Sequence, residues 1–219
     1  MNILITGTSQ GIGLGIAKRF LADGHIVYGF DRKGCPVELC GDINYHHIIV
    51  DVRFRESFPE LPQIDIIVNN AGTQNEDDIN INLKGVINIT EHYGIHEGIK
   101  SILNIGSASA HTGAEFPEYA ASKGGILSYT KNVAMRIAKF GATCNSLDPG
   151  GVITDLNRPV LDDPEAWEEI MQVTPLKRWA EVSEIAEWAY FLCMVNKFCT
   201  AQNILVDGGE ANYFNFVWR

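Results

Sequence analysis

The chain has few basic residues and no basic cluster. Its 219 residues include 17 Lys and Arg against 27 Asp and Glu, which gives a net charge of −10. Proteins that bind nucleic acids carry a concentrated patch of Lys and Arg, and no segment here is rich in either. We therefore expect no nucleic-acid partner and attribute the acidity to solubility.

Long apolar runs are also missing. Hydrophobic residues make up 46% of the chain and charged residues 20%, as in globular proteins, but no run approaches the roughly 18 apolar residues that a membrane span needs. An apolar segment begins directly after Met1 and leaves no room for a signal peptide. The sequence predicts one cytoplasmic domain over residues 1–219, without a membrane partner.

Cysteine motifs are absent as well. The five cysteines are Cys35, Cys40, Cys144, Cys193 and Cys199. Their number is odd and no C-x-x-C pair occurs, so neither a disulfide framework nor a zinc site is indicated. We expect buried or half-buried free thiols in a reducing compartment and no bound metal.

The N-terminal segment has the pattern strand, glycine-rich turn, helix, strand. The apolar run Asn2–Thr6 leads into Gly7-Thr8-Ser9-Gln10-Gly11-Ile12-Gly13, after which apolar residues recur at helical spacing as far as Gly24. A second apolar run from His25 to Phe30 ends at Asp31. A strand–helix–strand unit of this kind predicts a parallel sheet with helices on its faces.

The glycine-rich turn favours a nucleotide site over a purely structural turn. Glycines allow a ligand to approach the backbone closely, and the N–H groups at a helix start bind phosphate. The spacing is G-x-x-x-G-x-G, which differs from the common G-x-G-x-x-G. Asp31 would accept a ribose hydroxyl and repel a 2′-phosphate, which favours NAD. Arg32 could instead pair with that phosphate, so NADP is the alternative.

Five further apolar runs predict the remaining strands. They are His46–Val50, Ile64–Val68, Lys100–Ile105, Ala142–Leu147 and Asn203–Val206. Pro59 and Pro62 leave space for at most a short helix between the third and fourth. Asp51, at the end of the third, is either an adenine contact or a turn cap.

Apolar periodicity predicts four later helices. They run from about residue 78, from Glu118 to Phe140, from Pro164 and from Ile185, with Ser183 as the expected cap of the last. The C-terminal segment carries Tyr213, Phe214, Phe216 and Trp218, and we expect it to dock on this subunit or a neighbour.

Tyr119 and Lys123 lie four positions apart in the longest helical pattern, on one face of the helix. A free tyrosine has a pKa of about 10, and an ammonium one turn away favours the phenolate. The pair suits general acid/base catalysis at an alcohol oxygen, although an exposed Tyr packed on a Lys stem gives the same pattern. Ser107 and Ser109 follow the fifth strand, at the edge where open α/β sheets bind ligands.

Six motifs in order resemble those of the short-chain dehydrogenase/reductase family, from residue 2 to about 209. They are Thr6–Gly13, Asn69-Asn70-Ala71-Gly72, Asn82-Leu83-Lys84-Gly85, the set Ser107, Tyr119 and Lys123, Asp148-Pro149-Gly150 with Thr154, and Asp207-Gly208-Gly209. The resemblance implies an α/β fold: a single Rossmann-type, doubly wound parallel sheet of seven strands in the order 3-2-1-4-5-6-7, with helices on both faces. It also implies an NAD(P)-dependent oxidoreductase that interconverts a secondary alcohol and a ketone.

The resemblance assigns roles to individual residues. Tyr119 would be the acid/base, and Lys123 would lower its pKa and bind the nicotinamide ribose. Ser107 would bond the substrate carbonyl, and Asn82 would hold a water in a relay to Lys123. The implied cofactor contacts are Gly7, Ser9, Gln10, Gly11, Ile12, Gly13, Asp31, Arg32, Asp51, Val52, Asn70, Ala71, Gly72, Tyr119, Lys123, Pro149, Gly150, Ile153 and Thr154. A homodimer or homotetramer, paired through the helices that carry Asn82 and Tyr119, is implied too.

The chain also departs from the family pattern. It is shorter than usual, with only nine residues between Gly72 and Asn82, and the region before the fourth strand is trimmed. The gap from Ser107 to Tyr119 is one residue shorter than is common, which makes Ser109 a second candidate for the catalytic serine. These deletions affect the expected shape of the substrate pocket.

Three functional classes remain in view. The first is the dehydrogenase, and the second is a regulatory protein that binds a dinucleotide without turnover. The third, a nucleotide-sugar epimerase or dehydratase, is disfavoured because residues 152–175 are too short for a large substrate domain. Candidate substrates are a 3-oxoacyl thioester, a sugar or polyol, a steroid-like ketone and a small hydroxy acid. The mostly apolar loop 154–174, with Arg158 as its nearest cation, mildly favours an apolar or acyl substrate.

Overall fold

The structure is a computed structural model that describes residues 1–114 and 116–214. Its strands are β1 (Asn2–Thr6), β2 (Ile26–Asp31), β3 (Tyr45–Ile49), β4 (Ile66–Asn69), β5 (Ser101–Ile105), β6 (Thr143–Pro149) and β7 (Asn203–Val206). They form one parallel sheet in the order β3-β2-β1-β4-β5-β6-β7. The predicted fold and strand order are confirmed.

Helices cover both faces of this sheet. They are α1 (Gly11–Ala22), α2 (Gly85–Tyr93), α3 (Ser109–Thr112), α4 (Pro117–Ile137), α5 (Arg158–Leu161), α6 (Pro164–Val173) and α7 (Val182–Tyr190). One apolar cluster packs α1 and α7 against the sheet, and a second packs α2 and α4 against the opposite face. Because both faces are covered, the central strands are buried along their whole length, as in Ile66–Asn69 with its run of three aliphatic residues.

The connections on either side of β4 agree with the sequence-based expectations in one place and differ in the other. Only a short 3₁₀ turn, Arg55–Ser57, lies between β3 and β4, as the prolines predicted. The helix expected from residue 78 instead begins as a π-helix, Ile79–Lys84, and continues as α2. No sequence pattern indicated this change of pitch.

The prediction that Ser183 caps the last helix is wrong. The helix begins at Val182, with Glu181 as its N-cap. The Glu184 carboxylate accepts a hydrogen bond of 2.9 Å from the Glu181 N–H, which completes a capping box with glutamate at the cap position. Ser183 therefore lies inside the first turn.

Three other features bear on the sequence analysis. All five cysteines are free thiols, as expected; Cys144 and Cys193 are buried and Cys35 is half-buried, but Cys40 and Cys199 are exposed, so the expected burial is wrong for these two. Among residues 1–114 and 116–214, no helix is both long and apolar enough to span a bilayer. Tyr213 and Phe214 are exposed, while Phe216 and Trp218 lie outside the described residues, so the docking of this tail stays a prediction.

Candidate active site

The turn after β1 and the segment after β4 are hydrogen-bonded into one unit. The Thr6 hydroxyl accepts bonds of 2.9 Å from the backbone N–H groups of Asn70 and Ala71. The Asn70 side chain donates in return to the Thr6 carbonyl at 2.9 Å. β1 and β4 are adjacent in the sheet but connect to opposite sides of it, which is where open α/β sheets have a ligand crevice.

Two glycines make the turn as tight as it is. Gly7 has a φ of 75°, a left-handed conformation that side chains disfavour. A Cβ on Gly13 would lie 2.0 Å from the Gly7 carbonyl oxygen. Any larger residue at position 13 would therefore push the start of α1 away from the turn.

The N-terminus of α1 suits a phosphate group. Gln10 precedes the helix, makes no side-chain cap, and no acidic residue lies in the first turn. The backbone N–H groups and the positive end of the helix dipole are thus available to an anion. The tight glycine turn together with this uncapped helix start therefore fits the pyrophosphate of a dinucleotide.

The end of β2 places Asp31 beside the same turn. Its Oδ2 accepts the Ser9 N–H at 2.9 Å, and its Oδ1 accepts the Lys33 N–H at 2.8 Å. The Lys33 ammonium donates to the Gln10 side chain at 2.5 Å. Lys33 is a cation that the sequence analysis overlooked, although it directly follows Arg32 in the chain.

Asp51, the possible adenine contact, is engaged by an arginine. Arg53 donates to Asp51 Oδ2 at 2.7 Å and to Asp77 Oδ2 at 3.0 Å. Hydrogen bonding from Arg53 holds the pKa of Asp51 below its ordinary value. The adenine contact stays a prediction. Arg53 itself, which joins the end of β3 to the loop before Asn82, had no recognisable sequence signal.

Tyr119 and Lys123 project from the first turns of α4. Lys123 is 5% exposed, and its Nζ lies 5.6 Å from the centre of the Tyr119 ring. The same ammonium donates a hydrogen bond of 2.9 Å to the Ile105 carbonyl, which ties it to the C-terminal end of β5. The predicted pair is therefore brought together on one helix face.

Both candidate serines lie directly after β5. Their Oγ atoms are 3.0 Å apart, and the Ser109 backbone N–H donates to Ser107 Oγ at 3.1 Å. Both residues are buried. With its Oγ held by this backbone N–H, Ser107 can direct its own proton to a substrate oxygen.

Asn82 lies in the π-helix and is fully buried. Its side-chain oxygen accepts the Thr73 N–H at 2.8 Å, and its amide nitrogen donates to the Thr73 carbonyl at 3.0 Å and to Ser122 Oγ at 3.1 Å. π-helical segments are often found at functional sites. Here the segment turns Asn82 so that it joins the loop after β4 to helix α4.

A buried carboxylate to which the sequence assigned no separate role lies beside Gly106, the residue before Ser107. Asp148, near the end of β6, is fully buried. Its Oδ2 is 2.6 Å from His111 Nε2 on α3. Its Oδ1 occupies space that exists only because residue 106 is glycine, since a Cβ there would lie 2.0 Å from it. Burial raises the pKa of Asp148, and the hydrogen bond from His111 opposes this.

A single cavity of about 1,250 Å³ unites most of these groups. This volume exceeds the roughly 300–1,000 Å³ of a drug-sized ligand pocket. The predicted site residues that line it are Gly7, Gln10, Gly11, Ile12, Asp31, Arg32, Asp51, Val52, Asn70, Ala71, Gly72, Ser107, Tyr119, Lys123, Pro149, Gly150 and Thr154. The cavity is large enough for a dinucleotide and a small substrate together.

Four predicted site residues do not line this cavity. Ser9 supports Asp31, Gly13 packs on the turn and Asn82 holds Thr73. Ile153 lines a smaller neighbouring cavity, and its N–H donates to the Ala180 carbonyl at 2.9 Å. A direct contact of the Ile153 side chain with the cofactor stays a prediction.

The loop after β6 gives the other end of the cavity an apolar wall. This wall contains Leu156, Val160, Ile170, Val173 and Trp179. Arg158, expected from sequence to be the nearest cation, does not line this cavity. It lies 3.4 Å from Asp155 and 4.0 Å from Asp162.

Comparison with known proteins agrees with this geometry. Residues 7–210 match the family model described as Enoyl-(Acyl carrier protein) reductase. Glucose 1-dehydrogenase of Gluconobacter oxydans is 30% identical over 98% of this chain and 93% of its own length. This identity extends over nearly the whole of both proteins.

Two solved structures are also similar to this chain over nearly its whole length. A gluconate 5-dehydrogenase from Burkholderia cenocepacia, in complex with NADP and tartrate, has a TM-score of 0.86 and 29% identity, covering 97% of this chain and 96% of that one. A 3-oxoacyl-[acyl-carrier protein] reductase from Brucella melitensis with bound NAD has a TM-score of 0.83 and 25% identity, covering 95% and 90%.

Proposed function

Because this chain belongs to the short-chain dehydrogenase/reductase family, we propose that Tyr119, Lys123, Ser107 and Asn82 carry its reaction. The protein is an NAD(P)-dependent oxidoreductase that acts on a carbonyl or alcohol group. The observation that supports this proposal best is that three of the four, Tyr119, Lys123 and Ser107, line the cavity that also contains the phosphate-binding turn.

In the direction of ketone reduction, Ser107 and Tyr119 have different roles at the carbonyl oxygen. The residues around the turn after β1 would hold a nicotinamide cofactor, which would supply the hydride that the carbonyl carbon accepts. Ser107 donates a hydrogen bond to the oxygen as negative charge develops on it. Tyr119 transfers its phenolic proton to that oxygen, and the product is the secondary alcohol. In alcohol oxidation the phenolate takes this proton back.

Lys123 and Asn82 support Tyr119 without touching the reacting carbon. The ammonium near the Tyr119 ring stabilises the phenolate left after proton transfer. Asn82 fixes Thr73 beside the cavity and would hold the relay water through which Lys123 and Tyr119 regain a proton.

For the cofactor we propose NAD, with NADP as the alternative. Asp31, anchored by two backbone N–H groups, is suited to accept ribose hydroxyls and would repel a 2′-phosphate. Arg32 and Lys33 line the same end of the cavity and are suited to a 2′-phosphate. Asp51, the third strand's acid, would complete the adenosine site.

The proposed substrate is a 3-oxoacyl thioester or another carbonyl compound. The apolar wall formed by loop 156–173 and Trp179 would accommodate an acyl or other apolar group. One of the similar structures is a 3-oxoacyl reductase, which favours this class.

We further propose a homodimer or homotetramer. Met135 on α4, and Trp188 and Phe191 at the end of α7, are 64%, 42% and 46% exposed. Trp188 and Phe191 pack against each other with ring centres 6.2 Å apart, and a contiguous exposed apolar patch is typical of a subunit interface. The alternative, a dinucleotide-binding protein without turnover, is less consistent with a complete set of catalytic side chains.

The test begins with titration of the purified protein by NADH and NADPH, followed by tryptophan fluorescence. A panel of ketones and alcohols is then assayed with the preferred cofactor, using wild type and Tyr119→Phe. Loss of the phenolic proton should lower kcat by about 10²–10⁴-fold and leave the cofactor Kd unchanged. Full turnover by the variant would contradict the role of Tyr119. Tight cofactor binding with no turnover of any compound would favour the non-catalytic alternative.

A further inference from the structure

The charged residues that line the cavity are unevenly distributed along it. Arg32 and Lys33 lie at the end of β2, beside Asp31. In the strand order, β2 is separated from β5 by β1 and β4. The described cavity residues that follow β4, β5, β6 and β7 include one cation, Lys123. We call this part of the cavity the substrate half.

Lys123 is not placed to hold a substrate anion. Its Nζ is bonded to the Ile105 carbonyl and lies near the Tyr119 ring. A carboxylate seated on this ammonium would compete with the phenolate that it stabilises. Arg158, the next cation along the chain, is paired with two aspartates and lies outside the cavity lining.

Among the described residues, three carboxylates line the substrate half. Asp155 follows β6 and pairs with Arg158 at 3.4 Å, and the other two come from opposite sides of the cavity. Glu76 comes from the short loop after β4. Asp78 organises this loop by accepting the Thr73 hydroxyl at 2.9 Å and the Asn75 N–H at 2.9 Å, while Asn82 holds Thr73. The position of Glu76 is thus set by the same contacts that place Asn82.

Glu210 contributes from the opposite side, after β7. It lies in the short turn Glu210–Asn212 and lines the cavity. Its Oε2 is 3.4 Å from the Thr174 hydroxyl, directly after Val173 of the apolar wall. The substrate half therefore combines an apolar wall with carboxylates at both margins.

From this arrangement we infer that the substrate is uncharged where it enters the cavity, as a neutral ketone or its alcohol, and that Glu76 and Glu210 select against carboxylate-bearing analogues. The inference rests on the proposed function and makes it more specific. A negative charge brought next to these carboxylates is repelled and binds less tightly than a neutral group of the same shape. Glu76 is exposed, so solvent screens part of its repulsion. A 3-oxo ester or thioester satisfies this requirement, whereas the corresponding 3-oxo acid does not.

The test compares ethyl acetoacetate with acetoacetate, which share one reacting ketone and differ in the charge of the carboxyl group. We expect wild type to favour the ester by at least about 100-fold in kcat/KM. The double variant Glu76→Gln/Glu210→Gln should reduce this preference by at least about tenfold, mainly by improving kcat/KM for the acid. Glu169→Gln on α6 removes the same charge from an exposed residue outside the cavity lining and should leave the preference unchanged.

Equal or faster reduction of acetoacetate by wild type would overturn the inference and leave the proposed function intact. An unchanged preference in the double variant would overturn the role of the two glutamates. If neither compound is reduced, the proposed function fails for this pair. Calorimetric titration of the NADH complex then tests the inference separately: tighter binding of the ester supports it, and tighter binding of the acid contradicts it.

Discussion

His111 Nε2 lies 2.6 Å from Oδ2 of Asp148, a carboxylate with no exposed surface. This contact joins α3, which begins at Ser109, to the end of β6, where Pro149 and Gly150 line the cavity. The two segments that flank the reacting groups are therefore held together by a pair of titratable side chains that takes no direct part in the proposed reaction.

Asp148 should make folding stability fall with rising pH. Its pKa is raised in the folded state, chiefly by burial. The protonated Asp148 side chain therefore contributes fully to the free energy of unfolding below the ordinary aspartate pKa of about 3.9. This contribution is lost as pH rises through the folded-state pKa. Relative to wild type, Asp148→Asn should become more stable as pH increases over this range. Urea unfolding of both proteins at a series of pH values measures the difference.

Glu184→Gln provides a control of opposite sign. Hydrogen bonding from Arg178 lowers the pKa of Glu184 to about 2, so wild type gains stability from this group above its ordinary pKa and loses it as pH falls. The free energy of unfolding of this variant, relative to that of wild type, should fall as pH rises from about 2 to the ordinary glutamate pKa of about 4.3. A pH-independent difference for Asp148→Asn would show that its carboxyl titrates alike in both states.

The two serines after β5 can be separated by single substitutions. Ser107→Ala removes the hydroxyl that would stabilise the developing oxyanion, and kcat should fall by about 10²–10³-fold. Ser109→Ala removes only the neighbour 3.0 Å away and should have a much smaller effect. Steady-state kinetics on the same carbonyl compound compare them. The reverse order of effects would assign the catalytic role to Ser109.

Cofactor preference should depend on Asp31 and Lys33 in opposite directions. Asp31→Ala removes the ribose acceptor and a charge that repels a 2′-phosphate, so the ratio of NADPH to NADH affinity should rise by about 10–100-fold. Lys33→Gln should weaken NADPH more than NADH because it removes a phosphate-pairing cation. Fluorescence titration with both cofactors gives the two ratios. If the ratio is unchanged in Asp31→Ala, that carboxylate is not the ribose acceptor.

Asn82 should affect turnover more than cofactor binding. In Asn82→Ala the Thr73 backbone loses both of its side-chain partners, so kcat should fall while the cofactor Kd stays near wild type. Asn80→Ala, in the same π-helix, loses only a bond to Asp77 and serves as the control. Hydrogen exchange at Thr73 should increase in the first variant only. Equal kinetics for the two variants would remove Asn82 from the catalytic set.

The fold was predictable because its signals are local. Each central strand is a short apolar run that ends at a glycine, an asparagine or a small hydroxyl residue, and the order of the motifs then indicated the topology. The N-cap of α7 was predicted at the wrong residue because serine is a preferred N-cap and glutamate is not, so the pattern favoured Ser183 over Glu181. Local patterns fail when an unusual residue occupies a common structural position.

Long-range pairs carry no such signal. His111 and Asp148 are 37 positions apart, and Arg53 and Asp77 are 24 apart, so their contacts depend on the assembled sheet. The charge distribution in the substrate half has the same origin, because Glu76 and Glu210 line one cavity only after β4 and β7 are placed in one sheet. Lys33 is the exception, since its position next to Arg32 could have identified it.

The π-helical segment Ile79–Lys84 has a consequence for how this chain can change in evolution. A π-helical stretch contains one more residue than the α-helix that would replace it. Deletion of Asn80 would return this stretch to a regular α-helical pitch and would close the wide turn that holds the Asn82 side chain against Thr73. The link to Thr73 would be broken while the sheet stayed intact. Deletion of a single codon would therefore be enough to abolish activity. The product would be a folded protein in which the nucleotide-binding turn is unaltered.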